Sequence, residues 1–169
     1  MSEPPAGYGA AYGPPPGPYG LPYATWIQRV GGYIVDTVLV IPGYILVLVG
    51  STLQNGTGGV SSTGVMLVLI GSALMLGIVI WNTLIRQGRT GWSVGKQVAG
   101  IRLLSERTGE PVGAWPALAR QIAHVLDSLP CYLGWLWPLW DPKRQTFADK
   151  LMSTVVVVQP RPQNHQVFP

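Results

Sequence analysis

Between Val30 and Ile85 the chain carries a single charged residue, Asp36. A water-soluble domain does not leave 56 consecutive residues with one charge, and the stretch has room for two apolar spans of about 20 residues each. The fold class expected is therefore an α-helical integral membrane protein with two full transmembrane helices, 26–50 and 64–85. The first, Trp26 to Gly50, is 25 residues, which as one helix is about 37 Å against a bilayer core of about 30 Å. It contains Pro42–Gly43, a site for a kink. The second is uncharged, with Ala73 and Gly77 as a small-xxx-small packing pair. A neutral Gly/Ser/Thr/Asn loop, 51–63, joins them.

Two residues in the first span do not belong in hydrocarbon, Arg29 and Asp36. Their spacing of seven puts both on one helical stripe, and Gly31 and Gly32 allow another helix to approach it closely. Asp36 would lie about 15 Å along the axis, near mid-bilayer, where a carboxylate costs about 2.5–3.5 kcal/mol. A charge kept there is either a functional group or a structural tie to a neighbouring helix.

Segment 86–115 holds Arg86, Arg89, Lys96, Arg102 and Arg107, while loop 51–63 holds no basic residue. The positive-inside rule places 86–115 and the N-terminus in the cytoplasm and 51–63 outside, giving a multi-pass protein of the cell membrane. Within 86–115 the alternation ending at Leu104 and the turn Arg107-Thr-Gly-Glu110 before Val112 predict a small cytoplasmic β-hairpin. A lone hairpin is marginal, and Thr154–Val158 is the candidate third strand. The third apolar region, 115–140, is interrupted by Pro130. It either crosses as a third span or folds as a re-entrant or interfacial hairpin. The hairpin is preferred, because a crossing would put Lys143, Arg144 and Lys150 outside and part TVVVV from its partner. The tryptophans at 115, 135, 137 and 140 suit an interface.

Along 115–129, Arg120, His124 and Asp127 share one polar face. It is either a binding face turned toward Arg29 and Asp36 or the wet side of an amphipathic helix; for His124 and Asp127 the wet side is preferred. Asp141 and Pro142 predict a helix start within the 142–158 helix-and-strand segment. Residues 1–22, with seven Pro, five Gly and three Tyr, are expected to be disordered. This cytoplasmic head is a spacer or a Pro/Tyr-rich contact for a protein partner. Residues 23–158 form the membrane domain and 159–169 a flexible tail. Cys131, in an apolar run, is expected as a packing residue.

The net charge of +4 and pI near 9.5 do not mark a nucleic-acid binder, because the basic residues flank apolar spans. Two histidines and one cysteine make a metal site improbable. The run Gly91 to Gln97 (GWSVGKQ) imitates a phosphate loop but is one residue short and lacks the hydroxyl for Mg²⁺. No catalytic set, metal or cofactor site emerges, and an enzyme is not expected.

Arg29 and Asp36, the GKQVAGIRLLSERTGEPV segment, Arg120 and QTFADKLMSTVVVV together resemble the RDD family, named for one arginine and two aspartates. The matching positions are Arg29, Asp36 and Asp149. The Pro/Gly/Tyr-rich head is similar to that of actinobacterial members with a proline-rich N-terminal tail. The resemblance implies a small multi-pass membrane protein and makes Asp149 a fixed partner, for Arg29 or another basic residue near the cytoplasmic face. Two functions are consistent with this. In one, a homo-oligomer transports an ion or small solute with the deep, unpaired Asp36 as binding group, Arg29 as counter-charge, and Asp149 with Arg120 closing the cytoplasmic side. In the other, the chain is a scaffold whose Arg/Asp set is structural glue.

Overall fold

The computed structural model describes residues 17, 20–56 and 60–159. The rest of the proline-rich head, the loop tip 57–59 and the tail beyond Gln159 lie outside the described residues.

The expected first span is two helices, α1 (Trp26–Val38) and α2 (Ile41–Gly56), bent by 49° across Leu39–Val40. The Pro42 ring would meet the carbonyl four residues back, at Val38, so α1 ends there and Pro42 sits in the first turn of α2. Helix α3 (Ser62–Val79) runs on through a π-helical stretch, Ile80–Arg86, into α4 (Gln87–Thr90). Ser62–Thr90 is 29 residues and apolar enough to cross a membrane; α1 and α2 pass the same test only together. The fold is thus helical with one or two candidate spans, where two full helices were expected.

α2 and α3 pack through Gly43 against Gly71 and Gly50 against Gly64. A Cβ on Gly71 would lie 2.6 Å from the Gly43 carbonyl oxygen, and one on Gly50 2.6 Å from that of Gly64. The predicted pair Ala73 and Gly77 is not this contact, since both are exposed and a Cβ on Gly77 meets nothing. Outward-facing Met66, Leu69 and Leu76 are each more than 60% exposed, an apolar surface that water does not tolerate on this scale.

After the left-handed Gly91, α5 (Val94–Val98) leads into β1 (Ile101–Ser105). The predicted hairpin does not form. Residues 105–110 close on themselves through Ser105 N–H to the Glu110 carbonyl at 2.8 Å, and Pro111 has no N–H to continue a ladder. β1 pairs instead with β2 (Thr154–Val158), antiparallel, from Ile101 opposite Val158 to Ser105 opposite Thr154. A one-residue bridge at Tyr23 opposite Val157 adds to the far side of β2. The Pro22 carbonyl accepts from Val158 N–H (2.8 Å) and Ala24 N–H donates to Val156 (2.9 Å), so Pro22, placed by sequence in the disordered head, belongs to the fold. Alternation fills both faces, with Leu104, Val155, Val157 and Tyr23 on one and Ile101, Leu103, Val156 and Ala24 on the other.

The third apolar region holds α6 (Ala114–Ala123), α7 (Val125–Ser128), α8 (Leu133–Leu136) and a 3₁₀ turn, Trp137–Leu139. Its longest helix, of ten residues, is about 15 Å, half a bilayer core. The break follows Pro130, where Cys131 and Tyr132 are left-handed at φ 50° and 62°. Cys131 is exposed there and is not a packing residue. The last helix, α9 (Phe147–Leu151), starts later than Asp141–Pro142 predicted, because Thr146 and Asp149 form its capping box. Asp141 caps a turn, accepting from the N–H groups of Lys143 and Gln145.

Candidate functional site at the Arg and Asp joints

A capping box at Thr25 and Gln28 fixes the start of α1, and with it the face carrying Arg29, Gly32 and Asp36. Gly32 is the point of closest approach to α5: a Cβ on Gly95 would fall onto the Gly32 carbonyl and 2.8 Å from the Asp36 carboxyl carbon. This lets the Asp36 carboxylate reach three donors, Asn82 Nδ2 (2.7 Å), the Gly95 N–H (2.7 Å) and Ser93 Oγ (2.6 Å). Asn82, 2% exposed on the π-helical stretch, also accepts from Val94 N–H at 2.8 Å. Asp36 is therefore not the unpaired carboxylate expected from sequence. The segment that imitated a phosphate loop serves it instead, with Ser93 Oγ and the Gly95 N–H directed at a carboxylate of the same chain, while the Val94 N–H goes to Asn82. Asn82 and Ser93 were not singled out by sequence; the available signal was an amide side chain inside an otherwise apolar span.

The second joint centres on Asp149, which is fully buried. Its carboxylate accepts from Arg29 Nη1 at 2.7 Å, from Arg120 Nε and Nη2 at 2.7 Å, and from Thr154 Oγ1 at 3.2 Å. Arg29 Nη2 donates to the Arg144 carbonyl at 2.6 Å. Helices α1, α6 and α9 and the start of β2 thus meet on one carboxylate. Burial by itself would raise the Asp149 carboxyl, but the guanidiniums of Arg120 and Arg29 overcome it and hold the group well below the usual carboxylate range.

Asp127 forms a third joint. It is fully buried, accepts from the Phe147 and Ala148 N–H groups at 2.8 and 3.2 Å, and lies 2.5 Å from His124 Nδ1. The His124 ring stacks on Trp135 with centroids 4.6 Å apart. The preferred reading of His124 and Asp127 as a wet face is thus corrected, and both are interior. The i, i+3 and i, i+4 spacing marked the face correctly but not that α9 and Trp135 cover it.

Between these joints lies a cavity of about 420 Å³, lined by Arg29, Asp36, Lys96, Arg120 and His124 and by aromatic side chains that include Trp26, Tyr33 and Trp135. The Lys96 ammonium is pushed down to about 8, by burial first and then by the charge of Arg120, with Asp36 acting in the opposite sense. The candidate residues fall into two groups: Arg29, Arg120 and Asp149 meet directly, as do His124 and Asp127, while Asp36 joins neither cluster and binds Asn82, Ser93 and Gly95.

No solved structure matches the chain. It is 37% identical over 152 residues to the Proline-rich antigen of Mycobacterium leprae, covering 79% of this chain and 60% of that protein. It is 38% identical over 151 residues to the Proline-rich antigen homolog of Mycobacterium tuberculosis, covering 80% and 63%. The chain thus spans about 60% of the length of the curated relatives it matches. The RDD family profile matches residues 23–153, a range that takes in all three aspartate joints and the two arginines that hold Asp149, and on that match the chain belongs to the RDD family.

Proposed function

We propose that the chain is a non-catalytic scaffold of the cell membrane, multi-pass with a cytoplasmic N-terminus, in which the Arg/Asp set locks apolar spans to a small cytoplasmic unit. The observation that carries this reading is the engagement of Asp36, whose two oxygens already take three hydrogen bonds from Asn82, Ser93 and Gly95. An ion or proton carried by Asp36 would displace donors that hold three elements together, and each buried group left unpaired costs about 1–3 kcal/mol. His124 is bound into the same framework: its Nδ1 faces Asp127 and its ring is covered by Trp135. The orientation rests on the basic residues of 86–115 and the neutral 51–63 loop. The proline-rich head supplies the contact for a partner.

Transport by a homo-oligomer is the second reading, favoured by one observation: Asp36 lines the 420 Å³ cavity. Proton and sodium flux in vesicles reconstituted with wild type and Asp36→Asn separates the two. The scaffold reading expects equal background flux in both. Flux in wild type that Asp36→Asn abolishes, at equal reconstituted protein, establishes transport instead.

A further inference from the structure

The cavity wall is unbalanced in charge. Of its ionisable lining residues, Arg29, Lys96 and Arg120 are cations and Asp36 is a carboxylate. With Asp149 counted behind Arg29 and Arg120 and His124 neutral, three positive and two negative charges leave +1. Both carboxylates are engaged by donors of the fold. Three donors on the wall are not: Arg29 Nε is buried without a partner among the described residues, Lys96 Nζ makes no hydrogen bond or ion pair among them, and Arg120 directs Nε and Nη2 to Asp149, leaving Nη1. A half-buried ammonium without a partner, beside a second cation, is unfavourable unless an anion shares the site.

The remaining wall is aromatic and apolar, from Trp26, Val30 and Trp135. Tyr33 and Tyr132, each 66% exposed, stand at its rim. Beside Tyr33 the outer face of α1 carries Ile27 and Ile34, 76% and 56% exposed, so the aromatic wall continues onto a surface suited to lipid. A volume of about 420 Å³ falls within the roughly 300–1,000 Å³ of small-molecule sites.

From this juxtaposition we infer that the cavity is a binding site for an amphipathic organic anion, with a phosphate head on Lys96 and Arg120 and an apolar body on Trp26, Tyr33 and Trp135. A phosphate fits the wall because it presents several acceptor oxygens to an ammonium and a guanidinium at once. The site is separate from the scaffold reading, since Asp36 and Asp149 keep all their partners when it is filled. Two sources have this chemistry, an anionic lipid and a soluble organic phosphate.

Native mass spectrometry of the full chain released from maltoside micelles tests the site, with dioleoyl phosphatidic acid, dioleoyl phosphatidylcholine and glycerol phosphate as separate probes. One phosphatidic acid is expected to bind saturably and at least tenfold more tightly than phosphatidylcholine. Lys96→Ala should weaken it roughly tenfold to a hundredfold, the loss of one charge-assisted hydrogen bond, and Lys96→Arg should retain it. Lys96 holds no partner whose loss would unfold the chain, and thermal melts of both variants check this directly. Lys96-dependent binding of glycerol phosphate with equal affinity overturns the part of the inference that seats an apolar body on the aromatic wall; binding of the lipid alone assigns the site to the bilayer. Phosphatidic acid bound no better than phosphatidylcholine, or equally well by wild type and a folded Lys96→Ala, overturns the inference.

Discussion

Replacing Asp149 by asparagine removes one charge and almost no volume. The carboxylate is 0% exposed and faces two guanidiniums at 2.7 Å. Asparagine can still accept from one of them, but its amide nitrogen then points a donor at the other. The three-residue cluster goes from +1 (Arg29 and Arg120 against Asp149) to +2 inside the fold. Breaking a buried pair from one side costs about 3–5 kcal/mol, against a total stability of about 5–15 kcal/mol for a typical domain. The folded-to-unfolded ratio should fall by roughly two to four powers of ten. Unfolding of the full chain in maltoside micelles titrated with dodecyl sulfate, followed by far-ultraviolet circular dichroism, measures it. Arg29→Met run alone and with Asp149→Asn completes a double-mutant cycle, and the paired loss should be less than the sum by about 0.5–3 kcal/mol. An Asp149→Asn variant within about 0.5 kcal/mol of wild type, or strictly additive losses, would refute the joint.

Three further outcomes follow from the geometry. Because the folded Asp149 carboxyl is lowered from its ordinary 3.8, its contribution is complete above that value and is lost as pH falls below it. The stability gap between wild type and Asp149→Asn should therefore be constant from neutral pH to about 4 and narrow below it in acid titrations. Gly95→Ala should abolish accumulation of folded protein in membranes, since its Cβ falls on the Gly32 carbonyl, while Gly77→Ala, with nothing within 4 Å, should stay within about 0.5 kcal/mol by the same unfolding assay. In a Cys131→Ser background, Lys150→Cys should react with an impermeant maleimide only after the cytoplasmic face is opened. Labelling of intact cells from outside would reverse the proposed orientation.

What was legible in the sequence was chiefly what local spacing encodes. Arg29 and Asp36 share a face because seven residues make nearly two turns. TVVVV reads as a strand from its composition, and Pro130 marks the break in the third region. What was not legible depended on partners far along the chain. Leu103 and Leu104 alternate as well for a hairpin as for pairing with Val155 and Val156, and only the missing N–H of Pro111 argued against the nearer choice. His124 and Asp127 look like a wet face until α9 and Trp135 cover them. Ser93 and Asn82 looked unremarkable because their task is to hydrogen-bond a carboxylate 57 and 46 positions away. The glycines that join α2 to α3 are likewise visible only as pairs between the two helices, Gly43 with Gly71 and Gly50 with Gly64.

The bridge at Tyr23 has a mechanical consequence. A pull on the proline-rich head enters the fold at hydrogen bonds of Pro22 and Ala24 to β2 and at Arg144, whose Nη1 holds the Tyr23 carbonyl at 3.3 Å. The backbone carbonyl of the same Arg144 grips Arg29. Tension on the head is therefore divided before it reaches α1, part of it through the strand that follows Asp149 and part through the arginine that clasps Asp149. The anchor point for such a load is the sheet, and the spans carry what the sheet lets through.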